Sequence, residues 1–424
     1  MISKFIDFFR EGFSRNLFKY VLGIGAGHIV GLLFQILLRR IYTTDDFGHY
    51  ALFTSMVGII TTISALRYER AILLPSEEEE AYRLLLISVF FTIIVIIVIS
   101  LIICIFPVQL ASFFNVDMEI YRFFYLIPLS GFLFSLFRSI EFYMNRKKAY
   151  SQLGLSKVIR RVSEGGVQTI AGKTGYGLFL GDIFGHFFNL IFGVAVIRRD
   201  IIKYKNIKLN IKKTALKYID FPKYNLWTAL AQELNTVILP VFLISYLFGP
   251  SLTGSYDLSR LLLSLPLAML TVAIQQIFYR KVSQIVNAGE TVWPIIKFLF
   301  KYLVLTAFTG LILFFLFIHD IIPLFGLKWI SSIHISKILI TAYIFRFIFE
   351  PFSSFFFVFR KLKTYSLILT IYFLGIIGLF LMPKIDFDVL LILLVFMDLL
   401  FYLFFSTILI SMIKNYEASI VKRN

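Results

Sequence analysis

Long apolar runs recur along the whole chain, and short polar segments separate them. Twelve of these runs reach about the 20 residues that a helix needs to cross the hydrocarbon core of a bilayer. Backbone polar groups must be paired inside lipid, and the runs are too long and too uniformly apolar for barrel strands. The pattern therefore predicts an all-α membrane protein with twelve transmembrane helices. The predicted spans are residues 16–38, 48–74, 84–106, 122–144, 152–172, 176–197, 222–248, 251–279, 298–318, 333–359, 364–383 and 389–413.

Composition and charge narrow the class of protein further. The 424 residues are 59% hydrophobic and 16% charged, with a mean hydropathy of +0.85, whereas soluble domains are about 45–50% apolar and about 25% charged. The net charge of +17 could indicate nucleic-acid binding, but the cations fall between the apolar runs, which is typical of membrane topology. Cys104 is the only cysteine, so an internal disulfide and a thiolate metal cluster are excluded.

Lysine and arginine are concentrated on one side of this topology. If the N-terminus is cytoplasmic, the inner segments hold 27 of these residues and the outer segments hold six. Such a bias marks the cytoplasmic side, so both termini are predicted to be cytoplasmic. Residues 1–15 alternate apolar and basic positions near helical spacing, which predicts an interfacial amphipathic helix, with a frayed tail as the alternative. Residues 414–424 are predicted to form a cytoplasmic tail.

A basic segment at residues 198–221 divides the chain into an N-lobe of residues 16–197 and a C-lobe of residues 222–413. Each lobe contains six predicted spans, so both lobes have the same orientation in the membrane. The basic linker is predicted to lie on the anionic lipids of the inner leaflet.

The two lobes also resemble each other, which predicts a parallel repeat with a pseudo-two-fold axis along the membrane normal. The matching segments are Gly48-His49-Tyr50 with Gly254-Ser255-Tyr256, Arg138 and Glu141 with Arg346 and Glu350, and the loops at residues 146–151 with those at 360–366. Spans 1 and 6 carry glycine ladders, which predict close helix packing. The ladders are Gly23, Gly27 and Gly31, and Gly177, Gly181 and Gly185.

Ionisable residues inside the spans are the strongest functional signal. Apart from four cations close to the ends of spans, nine cations and eight acids lie within the predicted spans. An isolated charge at the bilayer centre costs at least about 2.5–3.5 kcal/mol. These groups must therefore line a wet cavity or pair with one another. Arginine suits a phosphate ligand because its planar fork donates two parallel hydrogen bonds and stays charged. The candidate substrate-binding residues are Arg67, Arg138, Arg160, Arg161, Arg260 and Arg346, and the candidates for ion coupling or ion pairing are Glu69, Asp182, Glu233, Asp257, Glu350 and Asp398.

The alternative is that these charges only fix helix packing. Suitable acids follow the arginines on nearly the same helix face, and the pairs would be Arg138 with Glu141, Arg161 with Glu164, and Arg346 with Glu350. His28 is a further mid-membrane group that could carry a proton, but it lies on the helix of the first glycine ladder, which favours a packing role.

Sequence motifs for catalysis or cofactor binding are missing. Gly172-Lys173-Thr174 resembles the end of a phosphate loop, but Val167 occupies the position of the required first glycine. Zinc-helix spacing and a nucleophile elbow do not occur. We therefore expect no catalytic residue, no metal and no cofactor, and we expect any transport to be driven by a gradient or by flow of the substrate.

Two segments near the N-terminus resemble the polysaccharide flippases, especially the O-antigen flippases. They read Arg39-Arg40-Ile41-Tyr42-Thr43-Thr44-Asp45-Asp46-Phe47-Gly48-His49-Tyr50 and Leu66-Arg67-Tyr68-Glu69-Arg70-Ala71-Ile72. This family belongs to the superfamily of multidrug and toxin extruders and lipid II flippases. The resemblance implies a V-shaped pair of six-helix bundles in the bacterial inner membrane, which moves undecaprenyl-diphosphate-linked oligosaccharide between leaflets. It also implies a polysaccharide polymerase and a chain-length regulator as partners, and no nucleic acid.

Two other functions remain open at this stage. A cation-coupled drug exporter of the same fold would need an acid-rich cavity, whereas the buried cations here slightly outnumber the acids. A membrane oligosaccharide polymerase or ligase would be expected to carry a large outer loop. The longest predicted outer loop is about residues 107–121, so the sequence favours the flippase.

Overall fold

A computed structural model describes residues 15–113, 121–172, 174–207, 210–359, 361–382 and 385–421. The described residues are almost entirely helical and include no strand, and a helix coincides with every predicted span. The interfacial helix predicted at residues 1–15 falls, up to Ser14, outside the described residues. The helices are α1 (Arg15–Ile41), α2 (Thr44–Ile63), α3 (Glu78–Ile105), α4 (Ile127–Arg146), α5 (Tyr150–Ile170), α6 (Gly177–Lys203), α7 (Phe221–Phe248), α8 (Pro250–Ala288), α9 (Trp293–Ile321), α10 (Ser331–Phe349), α11 (Leu362–Phe380) and α12 (Phe387–Val421).

Nine helices in the described part of the chain are long and apolar enough to cross a membrane. The predicted spans 2, 5 and 8 correspond to α2, α5 and α8, which are not among these nine. In α5 the reason is its charge, since Lys157, Arg160, Arg161 and Glu164 lie within its 21 residues. A helix with this composition must direct its charged face toward protein or water rather than lipid.

The chain divides into two compact units, and within the described residues the first comprises residues 15–254 and the second residues 255–421. The helix α7 therefore packs with the first unit. The predicted division of the spans into lobes of residues 16–197 and 222–413 remains a prediction.

Glycines bring α1 and α5 of the first unit close together. A Cβ atom at Gly27 would lie 2.9 Å from the Cβ atom of Lys157, and Gly23 similarly contacts the backbone of Gly154. In α6, a Cβ atom at Gly185 would lie 2.8 Å from the Cβ atom of Glu164. The predicted packing role of the glycine ladders is thus confirmed, because any larger side chain at these positions would collide with α5.

The second predicted span is interrupted, which corrects the expectation of one continuous helix over residues 48–74. The helix α2 begins with a capping box between Thr43 and Asp46 and ends at Ile63. Leu66 and Arg67 then adopt left-handed backbone conformations with φ of 49° and 66°. Such conformations disfavour side chains with a Cβ atom and are concentrated at functional sites. The chain resumes as a short helix at Tyr68–Ala71.

The turn between α7 and α8 packs closely on the beginning of α2, within the first unit. Gly48 contacts the backbone of Pro250, and Gly254 contacts the carbonyl of Thr44, so each glycine leaves room for the other backbone. The hydroxyl oxygens of Thr44 and Ser251 are 2.9 Å apart. The two glycines that match in the predicted internal repeat therefore meet at one contact.

The basic linker packs against the first unit through a short helix at Ile211–Lys217. The hydroxyl of Tyr68 donates a hydrogen bond to the carbonyl of Ala215 at 3.1 Å, and Lys217 forms an ion pair with Glu80 at the start of α3. The linker is thereby attached beside the interruption that follows α2.

The second unit contains α8 from Ser255 onward and α9 to α12. The start of α8 packs on α10 through serines, and the hydroxyl of Ser259 donates to the carbonyl of Ser332 at 3.0 Å. Small side chains allow this close approach, and the serine hydroxyls donate hydrogen bonds to backbone carbonyls of the neighbouring helix. At its C-terminal end, α12 extends to Val421, into the predicted tail.

Candidate functional site

A buried charge network joins α5 and α6 in the first unit. The guanidinium of Arg160 lies 3.7 Å from Asp182 and 3.7 Å from Glu164, and Arg161 lies 3.0 Å from Glu164. Both acids are almost fully buried. The proposed pairing of Arg161 with Glu164 is therefore present, and Arg160 and Asp182 belong to the same cluster.

Polar side chains of α2, α4 and α6 complete this network. The hydroxyl of Tyr50 in α2 donates to Glu164 at 3.1 Å, and the hydroxyl of Ser130 in α4 donates to Asp182 at 2.5 Å. His186 lies one helical turn after Asp182, with its Nε2 atom 3.5 Å from the carboxylate. Sequence reasoning missed these three polar residues. The spacing of four residues between Asp182 and His186 is the signal that could have indicated the histidine.

The pairing expected between Arg138 and Glu141 is absent, because Glu141 instead forms an ion pair with Lys157 of α5. Arg138 is half-buried, and no ion pair or hydrogen bond joins its side chain to another residue in the described ranges. A guanidinium in this position retains its donors for another anion.

Arg67 lies in the interruption after α2 and is only 3% exposed. Its Nη1 atom is 3.5 Å from Glu69, and both Nε and Nη1 lack a hydrogen-bond partner among the described residues. Arg138 and Glu233 are charged neighbours of Arg67. A buried donor without a partner costs about 1–3 kcal/mol, more when it is charged, so an acceptor bound to Arg67 would relieve this cost.

The position of Glu233 follows from the irregular path of α7. Glu233 is the last residue before a π-helical turn at Leu234–Ile238. It is half-buried near Gly58, where a Cβ atom would lie 3.8 Å from its Oε1 atom. Single π turns inside α-helices are frequent at functional sites.

The second unit holds its own arginine pairs. Arg346 in α10 lies 3.3 Å from Asp398 in α12, and the hydroxyl of Tyr372 in α11 donates to the same carboxylate at 2.7 Å. The expected partner of Arg346 was Glu350, so this pairing is corrected: Glu350 lies where α10 changes to a 3-10 turn, after the last α-helical residue. Arg260 in α8 donates to Asp257 at 2.9 Å.

Beside the start of α3 and the C-terminal ends of α4 and α6, Lys147 forms a further ion-pair cluster. Its Nζ atom lies 2.7 Å from Glu78 and 3.0 Å from Asp200. Burial alone would lower the pKa of Lys147, but the hydrogen bonds that its ammonium donates to Glu78 and Asp200 outweigh burial and raise the pKa above its usual value. This cluster ties three helices together.

The described residues contain no group of three or more His, Cys, Asp or Glu side chains that could hold a metal ion. A groove of about 350 Å³ lies between α3 and α4, and its lining is apolar. It is separate from the charged residues. The charged clusters described above offer ion pairing and hydrogen bonding by guanidinium groups, with carboxylates as their partners.

Three solved structures share this arrangement of helices. A lipid II flippase MurJ in an inward closed conformation has a TM-score of 0.71 at 14% identity, over 95% of this chain and 90% of that chain. The eukaryotic MATE transporter AtDTX14 has a TM-score of 0.62 at 13% identity, over 96% and 100%. A MOP superfamily transporter from Pyrococcus furiosus, described as having a binding pocket of reverse polarity, has a TM-score of 0.57 at 12% identity, over 95% and 96%.

The chain is thus a multi-pass membrane protein whose fold is similar to that of the lipid II flippase MurJ and of the MATE transporters. A family model described as polysaccharide biosynthesis protein matches residues 37–334. The protein belongs to this polysaccharide biosynthesis family. No curated protein matches the sequence.

Proposed function

We propose that this protein is a flippase that moves an undecaprenyl-diphosphate-linked oligosaccharide, such as an O-antigen repeat unit, across the bacterial inner membrane. The observation that supports this most is the unsatisfied guanidinium of Arg67 beside the unpaired Arg138. A diphosphate supplies the acceptor oxygens and the negative charge that these groups lack. Membership of the polysaccharide biosynthesis family supports a substrate of this class.

The six arginines proposed for substrate binding would act in two ways. Arg67 and Arg138 would bind the headgroup directly, since they lack strong protein partners. The other four hold carboxylates in the resting protein and would have to exchange them for phosphate oxygens, and these are Arg160, Arg161, Arg260 and Arg346. Each charge-assisted hydrogen bond contributes about 1.5–3 kcal/mol, so a few such contacts suffice for specific binding.

Transport would proceed by alternating access, with the path opening to one side of the membrane at a time. Both termini would be cytoplasmic, and the basic linker would lie on anionic lipids of the inner leaflet. Glu69, Asp182, Glu233, Asp257, Glu350 and Asp398 would provide ion coupling or counter-charges. The released repeat unit would then pass to a polysaccharide polymerase and its chain-length regulator. The protein itself would perform no covalent chemistry.

The test is replacement of single arginines in cells that make a surface polysaccharide. Arg138→Ala and Arg346→Ala should each abolish the polymer while the protein remains at its normal level in the membrane. Arg122→Ala is the control, because Arg122 is exposed at the opposite end of α4. Accumulation of the lipid-linked repeat unit inside the cell would locate the defect at transport. Normal polymer from both variants would refute these assignments.

A further inference from the structure

The ion pair between Arg346 and Asp398 uses only part of the guanidinium. Nη2 lies 3.3 Å from one carboxylate oxygen and 3.4 Å from the other. The Nε atom of Arg346 is buried and has no hydrogen-bond partner in the described part of the chain. The pair therefore lacks the two parallel hydrogen bonds of the strongest arginine pairs.

Asp398 has a second and shorter contact that does not involve Arg346. The hydroxyl of Tyr372 donates to its Oδ1 atom at 2.7 Å. If Arg346 moved away, the carboxylate would keep this hydrogen bond, which reduces the penalty of a buried anion that has lost its cation. The three residues lie on α10, α11 and α12, so each can move with a different helix.

We propose that Asp398 is an internal counter-ion of Arg346 that the diphosphate of the substrate displaces, and that Tyr372 holds the carboxylate after displacement. This proposal rests on the proposed function. A diphosphate carries more charge than a carboxylate and can engage Nε together with an Nη atom. Asp398 and Tyr372 are positioning residues, because they act through Arg346 and do not touch the substrate.

Displacement predicts effects of opposite sign for two conservative variants. Asp398→Asn removes the competing charge at nearly constant shape, so a diphosphate should bind more tightly. Tyr372→Phe removes the group that stabilises the released carboxylate, so Asp398 should hold Arg346 more firmly and a diphosphate should bind more weakly. A purely structural role would weaken binding in both variants, through loss of packing.

Binding can be measured on the purified full chain in lipid nanodiscs, with farnesyl diphosphate as the probe and farnesol as the uncharged reference. We expect Asp398→Asn to lower the Kd for farnesyl diphosphate about ten-fold and Tyr372→Phe to raise it several-fold, with farnesol unaffected. The double variant Arg346→Ala/Asp398→Asn should lose the gain. Asp388→Asn is the matched control, since Asp388 also lies on α12 and pairs with His334 at 3.0 Å on the exposed surface.

The outcomes separate this proposal from the proposed function. If the native chain binds farnesyl diphosphate and Asp398→Asn leaves the Kd unchanged or raises it, displacement is refuted and the flippase assignment stands. If the gain persists without Arg346, the counter-ion acts on another group and displacement is also refuted. If the native chain prefers farnesol to the diphosphate, both proposals fall. Thermal denaturation of each variant establishes that a change in Kd does not arise from unfolding.

Discussion

The contact between α2 and the turn after α7 can be locked by a disulfide. The hydroxyl oxygens of Thr44 and Ser251 are 2.9 Å apart, and a disulfide joins its sulfur atoms at about 2.05 Å. Cysteines at both positions therefore need a shift of about 1 Å to form the bond. Cys104 is the only native cysteine, so Cys104→Ala provides a background in which only the introduced pair can react.

The expected loss of transport depends on how strongly the side chains of Thr44 and Ser251 are held together. In the native chain a single hydroxyl contact joins these side chains, worth about 0.5–1.5 kcal/mol, which thermal motion breaks readily. A covalent bond at the same place prevents separation altogether. If alternating access opens this contact in every cycle, transport should fall in direct proportion to the oxidised fraction of the chains and should return on reduction.

The assay is transport of a fluorescent polyprenyl-diphosphate glycan in proteoliposomes, before and after oxidation and again after adding reductant. The single variants Thr44→Cys and Ser251→Cys, under the same oxidant, control for effects of the substitutions. A shift in gel mobility after cleavage between the two positions reports the oxidised fraction. Full transport by fully oxidised chains would refute the reasoning that this contact opens during transport.

Two further predictions concern packing and charge. Gly27→Leu should destabilise the protein by about 1–3 kcal/mol, because a Cβ atom already meets Lys157 at 2.9 Å, and a lowered Tm in detergent checks this. The control Gly166→Ala lies in α5 with open space around it, so it should leave the Tm equal or slightly raised, since alanine favours a helix interior over glycine. Lys147→Ala should lower the Tm, because the substitution removes the ion pair between Lys147 and Asp200. Because the pKa of Lys147 in the folded chain is raised above its usual 10.5, the lysine is charged and the full difference in Tm is expected at every pH below about 10.5. The difference should shrink only as the pH rises further and the native lysine loses its proton, so an equal difference at high pH would contradict the ion-pair account.

Much of the fold could be predicted from the sequence, because a membrane imposes a simple rule on it. A helix of fixed rise must cover a layer of fixed thickness, so the apolar runs locate the spans without knowledge of their neighbours. The buried arginines could be predicted as functional candidates for the same reason. A charge within an apolar run is costly unless it lines a wet cavity or pairs with another group, and such charges commonly mark functional sites. The glycine ladders predicted close packing, although not that α5 is the partner.

The partner of each charge could not be predicted in the same way. Spacing along the chain favoured Glu350 for Arg346, and the structure pairs Arg346 with Asp398, 52 residues away. It likewise pairs Glu141 with Lys157 and leaves Arg138 without an ion pair in the described ranges. An interaction between helices depends on their packing and rotation, which a one-dimensional pattern does not encode.

The sequence by itself determined that the apolar runs are helical and that cations lie within them, because both depend on local composition and on the solvent. The number of spans stays a prediction, since twelve runs were expected and nine helices in the described residues are long and apolar enough to cross a membrane. Only the tertiary structure decided which arginine keeps unused donors, where α2 is interrupted at Leu66 and Arg67, and that Gly48 and Gly254 meet at one contact. These features arise from distances between segments that are far apart in the chain, and such distances exist only after the helices have packed.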